Sequence, residues 1–216
     1  MNIIKIYEKY RIPYHLQMHM LKVTACCMLI IDNLKENVEI NREKLIRIAL
    51  LHDMGNMAKM SDEQIEDPEF ATIRNKYINM YGKDDHKINL VIGKQEGLTS
   101  EELDILDRKQ LKRNQEIRYS DNYILKICAY CDQRVSPNGV TSLEDRLNEL
   151  QIRHKNNPKG SMHNPIEAER LKKYALEIEK QIMNCTTIKK EDINEKSINS
   201  YIDKLKKYNL VNKEED

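Results

Sequence analysis

Apolar residues at helical spacing leave this chain few ways to fold. From Tyr14 to about Asn33, the residues Leu16, Met20, Val23, Cys27, Ile30 and Leu34 recur every three or four positions, the period of one helix face. The pattern returns at Leu45, Ile48, Ala49 and His52, and again from Asn122 to Val135 through Ile124, Ile127, Cys128 and Cys131. No segment alternates convincingly with the period of two that marks a half-buried strand. Only 6 glycines and 5 prolines interrupt 216 residues, so helices can run long. The punctuation falls between the periodic segments. Met1 to Arg11 can form a short helix, and Pro13 stands at or near the first position of the next. Asn41 is a plausible N-cap, and Gly55 a natural helix stop. Gly82 closes a helix from Pro68 to Tyr81, and Gly97 closes one that Asp84 caps and that reaches about Gln95. Thr99 or Ser100 opens another, with Glu101 and Glu102 in the first turn where the helix dipole favours acids. Ser142 starts a helix through Arg153, and the polar Ser61 to Glu69 is expected to be a loop. The predicted fold class is all-α.

The string KNNPKGSMHNP, Lys155 to Pro165, is the clearest linker. Helices from about Ile166 to Met183 and Ser197 to Tyr208 follow it. The predicted organisation is a domain over residues 1–155, a linker over 156–165, and a helical extension over 166–216 that can pack on the domain, cap a cleft or form a homodimer. Hydrophobic residues make up 40% and charged residues 33%, enough for a real core. Lys and Arg total 36 against 35 for Asp and Glu, so no large field of one sign points to nucleic acid or a membrane surface. No apolar run approaches the roughly 18 residues of a membrane span, and the N-terminus lacks a signal peptide's apolar stretch. Five cysteines, an odd number, fit reduced thiols better than a disulfide framework. The expected location is the cytoplasm. Cys128 and Cys131 form a CxxC without a second pair and read as core.

The chemistry concentrates in ALLHDMGN, Ala49 to Asn56. Here a His and an Asp stand side by side at the end of an apolar helix. Polar groups at the edge of a core need partners, and a metal ion satisfies both. Two residues do not complete a site. His19 lies upstream on an amphipathic helix, and Asp132 lies downstream in the apolar ILKICAYCDQRV, where a carboxylate is costly unless paired or ligated. His19, His52, Asp53 and Asp132 together offer two imidazoles and two carboxylates, a set suited to one divalent ion among Mn, Fe, Co, Ni, Mg and Zn. His15, in the first turn of the same helix as His19, reads as solvated. His154, Lys155, Lys159 and His163 surround the linker and read as a solvated loop.

The order His19, then His52–Asp53, then Asp132, each in an apolar helix, resembles the HD-domain superfamily of metal-dependent phosphohydrolases. The similarity extends to LLHDMGN, to the DDH of Asp84 to His86, and to YCDQRVSP from Tyr130 to Pro137, and it covers about Ile12 to Arg153. It implies an HD-type helical bundle that hydrolyses a nucleotide or another small phosphate ester. It also implies that Asp53 holds metal and takes part in proton transfer, and that Lys59 assists the chemistry. Lys59, Arg134 and Arg146 become candidates to neutralise phosphate charge, with Asn56 and His86 as further substrate contacts. One departure stands out. Many members carry Lys or Glu three residues after the HD aspartate, where this chain has Asn56. That keeps open an alternative, a non-catalytic HD module that binds metal or nucleotide as a sensor. With only His86 between the HD pair and the last Asp, a mononuclear site is the expectation.

Overall fold

The computed structural model describes residues 1–36, 38–60, 68–157 and 160–210. Among them, eleven α-helices run in chain order. They are α1 (Ile3–Lys9), α2 (Tyr14–Ile31), α3 (Arg42–Leu51), α4 (Pro68–Tyr81), α5 (Asp85–Gln95), α6 (Ser100–Arg108), α7 (Asn114–Ile117), α8 (Tyr123–Asp132), α9 (Leu143–His154), α10 (Pro165–Asn184) and α11 (Glu195–Leu205). The only strands among the described residues are β1 (Val135–Ser136) and β2 (Gly139–Val140). They form an antiparallel hairpin in which Val135 faces Val140 and Ser136 faces Gly139. The chain is all-α.

The caps follow the sequence. The Asn41 side chain accepts from Lys44 N at 3.0 Å, Asp84 from Lys87 N at 3.1 Å, and Asn122 from Leu125 N at 3.0 Å. Thr99 and Glu102 close a reciprocal capping box at the start of α6. Among the boundaries that differ from expectation, two bear on the site and the linker. The apolar helix bearing Asp132 ends at that residue rather than at Val135, so Asp132 stands at a helix terminus and not in mid-helix. Pro165, taken for linker, is the first residue of α10, with Asn164 as its cap. Most of the stretch expected to be a loop from Ser61 lies outside the described residues, as do Lys159 and part of the linker.

Helix α2 is the centre of the molecule. From Met20 to Ile30 only Lys22 escapes burial, so its C-terminal half is covered on every side rather than amphipathic. Helices α3, α8 and α11 pack on it. Helix α10 lies across α7, α8 and α9. Leu171, Ile178, Ile182, Ile198 and Leu205 from beyond the expected linker join one core with Ile3, Met20, Leu50 and Ile127. Of the arrangements open to the extension, these contacts are those of packing on the rest of the chain. The first described residues also meet the last, through Ile3 N to Tyr208 O at 3.0 Å and Leu210 N to Met1 O at 2.9 Å.

Candidate metal centre

Three helices deliver four side chains to one point. His19 comes from the second turn of α2, His52 and Asp53 from the turn that ends α3, and Asp132 from the last position of α8. His19 Nε2 lies 3.3 Å from Asp132 Oδ1 and 3.4 Å from Asp53 Oδ2. His52 Nε2 lies 3.3 Å from Asp132 Oδ1, 3.3 Å from His19 Nε2 and 3.7 Å from Asp53 Oδ2. One ligand atom from each of the four residues falls within 4.8 Å of the others, and this is the one such group among the described residues. Two imidazole nitrogens and two carboxylate oxygens facing inward make a donor set that fits a divalent cation.

The surroundings orient those donors. His52 Nδ1 donates to Ala49 O at 2.7 Å, which leaves the Nε2 lone pair facing the group. Asn56 Nδ2 donates to Asp53 Oδ2, while Asn56 Oδ1 is buried without a partner among the described residues. Both carboxylates stand at helix C-termini, where the backbone carbonyls already carry negative partial charge. Anions are disfavoured there and a cation is favoured.

Lys109, directly after α6, answers part of that charge. It is buried, with Nζ 2.7 Å from Asp132 Oδ2 and 3.6 Å from Asp53 Oδ1. Burial alone would lower its pKa, but the two carboxylates outweigh burial and hold it well above the usual lysine value. Burial would raise the Asp53 and Asp132 carboxyls. Attraction to His52 and Lys109 instead holds both well below the carboxylate range. Burial works against a charged His19, yet hydrogen bonds to Asp132 and Asp53 carry its pKa up to about 9. A divalent cation among these donors would displace that proton.

Lys109 was missed in the sequence. The signal was present, because position 109 continues the helical stripe of Glu102, Ile105 and Leu106 and so falls on a buried face. A lysine there needs anionic partners, but spacing alone does not say which.

The remaining predicted residues separate. Asn56 touches Asp53. Arg146 lies close enough to Asp132 to feel its charge, pairs with Glu149, and keeps a buried Nε without a partner among the described residues. With Glu149 it lines a surface pocket beside the β1–β2 turn. Lys59 is not brought into the cluster; it is half-exposed and pairs with Asp85 at 2.9 Å. His86 is held by Asp107 at 2.6 Å and Gln110 at 2.7 Å. Arg134 turns away, and its guanidinium binds Tyr130 Oη, Thr141 O, Lys190 O and Ile193 O. All four of these partners lie outside the four-residue group. Cys128 and Cys131 are buried and belong to the core.

Residues 17–120 match the family model described as HD domain. No match was found among curated proteins or among solved structures. The matched span holds His19, His52, Asp53 and Lys109, and Asp132 lies beyond it.

Proposed function

We propose that this chain, whose residues 17–120 match the HD-domain model, is a metal-dependent phosphohydrolase of the HD type acting on a nucleotide or a similar small phosphate ester. One observation carries this reading: His19, His52, Asp53 and Asp132, from α2, the turn after α3 and the end of α8, bring four metal-type donor atoms within 4.8 Å of one another. These four residues would hold one divalent ion. Such an ion supplies Lewis acidity, polarising a phosphoryl oxygen and making water a better nucleophile at neutral pH.

The rest of the work falls to the chain. The Ala49 carbonyl fixes the His52 ring, and Asn56 and Lys109 hold the carboxylates in place. The orphan acceptor Asn56 Oδ1 can take a hydrogen bond from water or a substrate hydroxyl, orienting it beside Asp53. Asn56 offers no acidic proton, so the leaving group takes its proton from elsewhere. Arg146, near Asp132 and with a free Nε–H among the described residues, is placed to meet phosphate oxygens. Lys59, committed to Asp85, is not assigned a part in the chemistry.

Turnover of a panel of nucleotides and generic phosphate esters, with Mn, Co, Ni or Mg, tests the proposal. His52→Ala and Asp53→Ala are expected to abolish turnover and metal retention. Arg146→Met is expected to raise KM about 10- to 100-fold, the size of a charge-assisted hydrogen bond to an anion, whereas Lys59→Met stays within about threefold, as a surface ion pair would. Tight metal retention without turnover of any ester would favour the non-catalytic sensor module instead.

A further inference from the structure

The two carboxylates of the centre use their oxygens differently. Asp132 Oδ1 and Asp53 Oδ2 face the imidazoles of His19 and His52. The outer oxygens, Asp132 Oδ2 and Asp53 Oδ1, face the Lys109 ammonium. A second metal ion sharing these carboxylates with the first needs those outer oxygens, because a bridging carboxylate gives one oxygen to each ion. We propose that Lys109 is a built-in cation filling the second-cation position of the centre, so that the site takes one divalent ion and each carboxylate keeps one oxygen turned inward. This rests on reading the four-residue group as a metal site.

Charge and donor supply point the same way. Two carboxylates, one ammonium and one divalent ion leave a single positive charge to meet a phosphate. A second divalent ion would stand against the ammonium with nothing to offset it. Nor does the structure offer that ion other ligands: the described residues hold no second group of metal-type donors, and His86 is engaged by Asp107 and Gln110. Lys109 cannot easily swing aside. It is buried directly after α6, whose other end is anchored by the buried pair of Arg47 and Glu102 at 2.9 Å. Lys109 is thus a positioning residue, acting on the ligands rather than on substrate.

Metal stoichiometry tests this. The stripped protein is titrated with Mn(II) and read by elemental analysis and electron paramagnetic resonance, with circular dichroism to verify folding. The wild type is expected to hold one Mn(II) per chain with the spectrum of an isolated ion. Lys109→Arg, which keeps the charge, should match it. Lys109→His replaces the ammonium by a neutral donor and should take up two ions with a spin-coupled spectrum. Lys109→Gln removes the competing charge and should bind the first ion about tenfold more tightly. Two ions in the wild type would overturn the inference while leaving the metal reading intact. So would an unchanged stoichiometry in Lys109→His together with an unchanged affinity in Lys109→Gln. A wild type that binds no ion sinks the metal reading, and this inference with it.

Discussion

Gly55 illustrates how a residue can be read correctly as necessary and for the wrong reason. In the sequence it stands as a helix stop, yet α3 ends at Leu51 and Gly55 has an ordinary φ of −88°. What requires glycine is space. A Cβ at this position would lie 2.3 Å from Asp85 O and 2.8 Å from Ile88 Cβ, and Gly55 N donates to Asn89 Oδ1 at 2.5 Å. The first turn of α5 thus presses directly on the turn that carries Asp53 and Asn56. Backbone does not yield as a flexible side chain does, so Gly55→Ala is expected to cost about 1–3 kcal/mol. That is a fall in Tm of roughly 3–10 °C for a chain of this size. It should also weaken Mn(II) binding, since Asp53 shifts with the turn. A variant with wild-type Tm and metal affinity would show that the contact relaxes freely.

At the scale of elements, the helices were legible and their burial was not. The spacing from Leu16 to Ile30 announces a helix, but an amphipathic one. From Met20 to Ile30 the structure buries the opposite face too, Lys22 excepted, because α11 packs on α2 in addition to α3 and α8. A clip joins these helices at the end of α2. Asp32 pairs with Arg42 of α3 and accepts from Tyr201 Oη of α11 at 2.9 Å. Burial would raise the Asp32 carboxyl, but the bonds to Arg42 and Tyr201 outweigh it and lower its pKa below 3.8. The sign follows: a carboxyl held lower in the folded state than in the unfolded chain stabilises above about pH 4, and that stability is lost as pH falls through the lower folded value. The groups are partly exposed, so screening keeps the effect under about 1 kcal/mol. Asp32→Asn is expected to lower Tm by roughly 1–3 °C at pH 7, with the difference closing in acid. Melting curves from pH 7 to pH 3 measure it, and a gap that persists in acid would assign the effect to something other than the charge.

At the scale of the molecule, Arg134 ties the last third of the chain to the part that carries the four donor residues. Buried two residues after Asp132, it donates to Ile193 O at 2.8 Å and Lys190 O at 3.2 Å and lies 3.7 Å from Glu179. Arg134→Leu removes the donor from several carbonyls and leaves Glu179 with Tyr130 and the more distant Lys190, and is expected to cost about 3–5 kcal/mol, with Tm falling by roughly 10 °C. KM for substrate and Mn(II) stoichiometry should be unchanged at a temperature where the variant is folded. A raised KM with an unchanged Tm would return Arg134 to the substrate site.

By itself the sequence determined the all-α class, most helix starts, and the four donor residues. Helical period, cap chemistry and the cost of placing His52, Asp53 and Asp132 against apolar helices are all local and can be read from neighbours along the chain. What each charged side chain meets depends on how the helices pack. Lys59 and Arg134 read as phosphate ligands because cations near a metal motif suit that part, but in the fold Lys59 pairs with Asp85 and Arg134 donates to carbonyls between α10 and α11. Lys109 drew no notice, and packing set it against both carboxylates. The reason is physical: helix formation depends on residues three and four apart, whereas a buried charge takes its partner from whichever element packs opposite, and that partner can be distant in sequence.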